Sequence, residues 1–242
     1  MIKDFFKDIK VDNNFYIECA NKVVEWNQTA QGVTSSEEED FSNEKFLLQI
    51  KLVEEELKEY RDAAKTNDHV EILDAAGDIF VVASYLSYMF FGKQAIKDVL
   101  TQPVGDRLAD DPHDTFIKSQ DFMDKTSDNS SFGLGMLACA VTRMARDTLV
   151  KSIYDDKKVM QEILRSNYSK FPDKESLRTK WMVNDINEAL ELELSWIEEN
   201  RDYSGITYKF NSKNGLYVFF DENGKIMKPS VFSGPDIKSI VG

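Results

Sequence analysis

Six carboxylates carry the most chemistry in this chain: Glu55-Glu56-x-x-Glu59, then Glu71-x-x-Asp74 followed by Asp78. Residues three or four apart share one helix face, so Glu55 or Glu56 aligns with Glu59, while Glu71, Asp74 and Asp78 form a single stripe. Asp74 and Asp78 sit among Leu73, Ala75, Ala76 and Ile79, where small residues imply close helix packing. An ionised carboxylate is costly in such a place unless a cation or several donors compensate it. Facing stripes would repel one another unless cations lay between them, and hard oxygen ligands favour Mg²⁺ or Mn²⁺ over zinc. Such a site can bind a polyphosphate, neutralise charge in phosphoryl transfer and lower the pKa of an attacking water. A second reading stays open: Glu54-Glu55-Glu56 beside Lys51 and Lys58 also suits an exposed, ion-paired helix face, although Asp74 and Asp78 resist it.

The elements that must position these groups read as helices. Phe15, Ile17, Cys19, Val23, Val24 and Trp26 predict a helix over 13–31, ending near Gly32. Ser42-x-x-Lys45 opens a second helix reaching about Lys65, with Phe46, Ile50, Val53, Leu57 and Tyr60 as its apolar line. Asp68 suits the N-cap of a third, from His69 to Phe91, and so short a turn packs the two antiparallel. Gly92 to Ser131 reads as an irregular excursion with a short helix at Lys93–Leu100. Further helices are expected over Phe132–Ser152, Asp155–Ser166 and Glu175–Glu199. The tail changes period: Ile206–Phe210 and Leu216–Phe220 are β-rich and flank the turns Asn214-Gly215 and Asn223-Gly224, predicting a small hairpin or three-stranded sheet.

Bulk properties narrow the partners. A hydrophobic content of 42% in 242 residues is enough for a real core, and a formal net charge of -13 disfavours nucleic acid as a partner while leaving a metal-bridged phosphate ligand open. Cys19 and Cys139, each in an apolar helical context, read as reduced core thiols. The acidic stretch 35–40 reads as a solvated loop, and His69 and His113 as ordinary polar residues at element edges. The start lacks a secretion signal, and the apolar run Ile79–Phe91 falls short of the roughly 20 residues that span a bilayer. A cytoplasmic protein without a membrane partner is therefore expected.

Lys51-Leu-Val-Glu-Glu-Glu-Leu-Lys-Glu59 followed by Val70-Glu-Ile-Leu-Asp-Ala-Ala-Gly-Asp78 resembles the all-α nucleoside triphosphate pyrophosphohydrolases, the MazG-like group that includes phosphoribosyl-ATP pyrophosphohydrolase. Val24-Glu-Trp-Asn27 is similar to that family's first-helix segment. Arg165-Ser-Asn-Tyr-Ser-Lys170 and Gly224-Lys-Ile-Met-Lys-Pro229, with Pro235-Asp236, resemble segments of its phosphoribosyl-ATP-pyrophosphohydrolase-like and phage-type members. The resemblance implies a mainly α fold: an antiparallel helix bundle of the all-α NTP pyrophosphatase type over 1–204, with an irregular insertion at 92–131 and a C-terminal β-hairpin tail over 205–242 closing on the same domain.

It also implies hydrolysis between the α and β phosphorus atoms of a (d)NTP, giving a monophosphate and pyrophosphate in nucleotide-pool control. Glu56, Glu59, Glu71 and Asp74 would ligate Mg²⁺, with Asp78 in support, and Glu55 would orient or deprotonate the attacking water. Arg165, Ser166, Asn167 and Lys170 would hold the triphosphate, with Lys225 and Lys228 closing over it; a helix terminus with basic residues and a turn-flanking pair are the plainer readings. Trp26 and Asn27, with Gln28, could recognise a base, or be a core tryptophan beside two capping amides. A homodimer or homotetramer is expected, helped by the aromatic run Tyr85, Tyr88, Phe90 and Phe91. Two alternatives are a dedicated dUTPase or dCTPase of the same superfamily and a catalytically silent helical binding module. Phosphoribosyl-ATP itself is disfavoured by the chain's length. The stretches 92–131 and 171–204 depart from compact members.

Overall fold

The computed structural model describes residues 11–33, 39, 41–103, 130–201 and 203–242. Residues 1–10, 34–38, 40, 104–129 and 202, and with them most of the acidic loop, His113 and the bulk of the 92–131 excursion, lie outside the described residues. The described residues form eight helices and one two-stranded antiparallel sheet: α1 (Asn13–Gln31), α2 (Asn43–Thr66), α3 (His69–Leu100), α4 (Ser130–Lys151), α5 (Asp156–Tyr168), α6 (Lys174–Trp181), α7 (Ile186–Arg201), β1 (Thr207–Asn211), β2 (Leu216–Phe220) and α8 (Ile237–Val241). The fold is mainly α with a small hairpin near the C-terminus.

Two compact units emerge: residues 1–24, 41–164 and 236–242 form the first, and residues 25–40 and 165–235 the second. Helices α6 and α7 thus group with the hairpin.

In the first unit, local capping sets the α2–α3 hairpin. Ser42 caps α2 by accepting from the Lys45 N–H, and Asn67, left-handed at φ 54, closes its far end by donating to the Ala63 and Ala64 carbonyls. Asp68 then accepts from the Val70 and Glu71 N–H groups at 3.1 and 3.2 Å, starting α3 with no intervening loop. Helix α3 packs against α2, α4 and α8. It is long and apolar enough to cross a membrane by composition, yet most of that stretch is buried within this unit. Its core includes Leu57, Ile72, Leu73, Phe80, Leu86 and Leu149. Gly92, at φ 73 and ψ -178, is non-helical and kinks α3 between a stretch that ends at Phe91 and the short helix expected at Lys93–Leu100. At that end the fully buried Arg146 pairs with Asp147 and donates to the Leu100 and Gln102 carbonyls, satisfying groups the helix leaves open.

In the second unit, the expected long helix over 175–199 is two helices. Met182 adopts φ 54 and donates to the Arg178 and Thr179 carbonyls, ending α6, and Asp185 accepts from the Asn187 N–H at 2.7 Å as α7 begins. The hairpin pairs Thr207 with Phe220 through Asn211 with Leu216. An isolated bridge from Phe220 to Ile226 adds no third strand among the described residues. Phe219 joins the α6–α7 core with Leu177, Leu190 and Ile197, while Val218 packs with Trp26, Ala30 and Phe171. Glu193, fully buried, accepts from Trp181 Nε1 at 2.8 Å and from the Ser230 N–H and hydroxyl, each at 2.6 Å.

Candidate metal and phosphate sites

All six carboxylates lie on the α2–α3 hairpin. Gln49 Nε2 donates to the Val82 carbonyl at 2.8 Å, and the turn at Asn67-Asp68 joins the helices at the other end. These two ties make the pair antiparallel and set Glu56 and Glu59 level with the stretch from Glu71 to Asp78. Burial grades the set: Glu55, Glu56, Asp74 and Asp78 are half-buried, and Glu59 and Glu71 are exposed. One oxygen of Glu56 and one of Asp74 are shut off from solvent, the setting in which carboxylate charge calls for compensation. Glu55 reaches Lys51 Nζ at 3.9 Å, an exposed i, i+4 pair of the kind worth little in water.

Among the described residues no group of three or more His, Cys, Asp or Glu side chains is gathered closely enough to cage a cation. The donor set is nevertheless of one chemical kind, anionic oxygen. That fits Mg²⁺ or Mn²⁺ rather than zinc. Behind the acidic faces, Leu57, Tyr60, Ala76 and Ile79 meet Val141, Met144, Ala145 and Thr148 in an apolar crease. Burial in this crease pushes the Tyr60 phenol up to about 12, with a hydrogen bond to Thr148 opposing the shift.

The remaining expected site residues belong to the second unit. Trp26 is buried and fully engaged there: its ring stacks on Phe171 at 4.9 Å with 6° between planes, its Nε1 donates to the Asn167 carbonyl at 2.9 Å, and Lys170 Nζ lies 5.5 Å from its centroid. Asn167 Oδ1 accepts from Lys170 Nζ at 2.7 Å. The exposed Arg165 donates to Ser233 Oγ and the Gly234 carbonyl at 3.1 and 2.6 Å, and the backbone carbonyl of the buried Ser166 accepts from Ser169 Oγ at 2.7 Å. Asn27 is half-buried. The Lys225 N–H donates to Asp221 Oδ1 at 2.8 Å, and Lys228 Nζ lies 5.0 Å from the Phe232 centroid. The structure thus brings Trp26, Asn167 and Lys170 together and ties Arg165 to the 233–234 segment.

Against known proteins, residues 24–110 match the family model described as phosphoribosyl-ATP pyrophosphohydrolase, a member of the all-α NTP pyrophosphohydrolase superfamily. This span, just over a third of the chain, contains α2, α3 and all six carboxylates; the segments 165–170 and 224–229 fall outside it. No curated protein and no solved structure matches the chain. The match supports pyrophosphohydrolase activity in general.

Proposed function

We propose that the protein is a Mg²⁺-dependent pyrophosphohydrolase that converts a (d)NTP into the (d)NMP and pyrophosphate. The observation that carries this reading is that all six carboxylates lie on the antiparallel α2–α3 pair, within the span that matches a pyrophosphohydrolase family. Glu56, Glu59, Glu71 and Asp74 would hold the cation, Mn²⁺ being able to replace Mg²⁺, with Asp78 one turn further along α3 in support. A cation so held would offset phosphate charge and acidify a bound water. Glu55, which lies 3.9 Å from Lys51 Nζ, would accept that water's proton once the weak ion pair gives way. In the second unit, Arg165, Ser166, Asn167, Lys170, Lys225 and Lys228 are assigned to phosphate and Trp26 with Asn27 to the base. For Lys170 this requires exchanging its bond to Asn167 for one to a phosphate oxygen. Association into a dimer or tetramer belongs to the same proposal, supported by exposed Phe132 and Met136 on the first unit.

The test is product analysis with purified protein, Mg²⁺ and each (d)NTP, dUTP, dCTP and phosphoribosyl-ATP included. Monophosphate plus pyrophosphate supports the proposal, and a single strongly preferred pyrimidine substrate narrows it to a dedicated dUTPase or dCTPase. Diphosphate plus phosphate contradicts the bond assignment. A silent binding module is the second reading, favoured by the Lys51–Glu55 surface pair and by the ungathered carboxylates; it predicts no turnover with any of these substrates.

A further inference from the structure

Gln49 is a polar residue on the buried side of α2, where its neighbours on that line are Phe46, Ile50 and Val53. Its amide crosses to α3 and donates to the Val82 carbonyl at 2.8 Å. Its place along each helix is informative. Gln49 lies seven residues, two helical turns, before Glu56, and Val82 lies four residues, one turn, after Asp78. The bond therefore sits in line with both acidic stripes, at the end of the hairpin opposite the Asn67-Asp68 turn. Apolar side chains tolerate a sliding or rolling helix pair because one aliphatic contact replaces another at little cost. A buried amide with a single acceptor does not, which is how one buried polar residue fixes register in a helical coil.

We propose that Gln49 is a positioning residue that sets the register and roll of α2 against α3, and so the mutual placement of Glu56, Glu59, Asp74 and Asp78. This rests on the metal-binding reading of those carboxylates. It differs from a stability role, because the Val82 carbonyl also has its own place in the α3 ladder. Replacing the amide with an apolar side chain of similar length leaves a well-packed core and removes only the specification of register.

The test compares the full-length wild type with Gln49→Met, using Mn²⁺ titration followed by electron paramagnetic resonance, the Mg²⁺ dependence of turnover, and thermal unfolding. Leu47→Ser, a change at an exposed residue of the same helix, is the control. The expected result for Gln49→Met is Mn²⁺ affinity weakened at least about 5-fold and the Mg²⁺ requirement raised in proportion. Its kcat at saturating Mg²⁺ stays within about 2-fold and its melting temperature stays near wild type, with Leu47→Ser unchanged throughout. Wild-type Mn²⁺ affinity in a folded Gln49→Met protein would overturn the assignment while leaving the metal site standing. Absence of Mn²⁺ binding by the wild type would overturn both. If Gln49→Met fails to fold, Gln49→Leu carries the same comparison; loss of helical circular dichroism in both would show a general fold determinant and overturn the specific role.

Discussion

Gly77 of α3 lies so close to Ile163 of α5 that a Cβ built on it would stand 2.5 Å from Ile163 Cγ1. Gly77 falls between Asp74 and Asp78, next to the Ala75 and Ala76 that sequence patterning associates with close packing, and lets α5 approach the acidic helix. Gly77→Ala is expected to lose stability despite its better helix propensity. Overpacking costs about 1–3 kcal/mol and propensity returns about 1 kcal/mol, for a net loss of up to about 2 kcal/mol. Thermal unfolding followed by circular dichroism checks this; a stabilised variant would show that Ile163 yields freely.

Trp26 separates two roles. Its stacking on Phe171 and its hydrogen bond to Asn167 are core interactions, so Trp26→Ala is expected to cost about 3–5 kcal/mol, whereas Trp26→Phe keeps the stack and loses about 1 kcal/mol. Denaturant unfolding measures both. A base-recognition role adds a prediction that packing alone does not make: Trp26→Phe should raise KM for the nucleotide at unchanged kcat.

Glu193 accepts three hydrogen bonds from Trp181 and Ser230 in a fully buried setting. Glu193→Ala would strand those donors and is expected to destabilise the protein by about 3 kcal/mol. The midpoint of urea unfolding, read by tryptophan fluorescence, should fall accordingly.

Asp173 caps α6 by accepting from the Ser176 N–H at 2.7 Å, and that bond to the backbone is the main cause holding its carboxyl below the ordinary value of 3.8. A depressed carboxyl stabilises the fold above its unfolded pKa and loses that contribution as pH falls through its folded pKa. Asp173→Ala is therefore expected to cost about 1 kcal/mol at pH 7, with the gap to wild type narrowing below about pH 3.8. Melting temperatures of both proteins from pH 7 to pH 3 test the sign.

Where chemistry is local, the sequence was legible. Ser42, Asp68 and the apolar lines of α1 to α3 announce helices that the structure places within a residue or two, and the Asn-Gly turn announces the hairpin. The split between α6 and α7 was hidden because Met182 takes a left-handed conformation that sequence rules reserve for glycine or asparagine. Helix α8, five residues long, is too short to show a period. The acidic stripes could be read from spacing alone, but their register could not. It depends on Gln49 reaching Val82 across 33 residues, which no local pattern encodes. The engagement of Trp26 was hidden for the same reason, since Asn167 and Phe171 are distant in sequence.

The most direct measurement is ³¹P NMR of (d)NTP turnover with Mg²⁺ by the wild type, Glu56→Gln and Asp74→Asn, each checked for helical content. Disturbing residues behind a metal's ligands commonly costs about 10–100-fold, so loss of a ligand should cost at least about 100-fold with the fold retained. The account predicts pyrophosphate and monophosphate from the wild type and neither from the variants. Equal turnover in all three, or none in any, would contradict it.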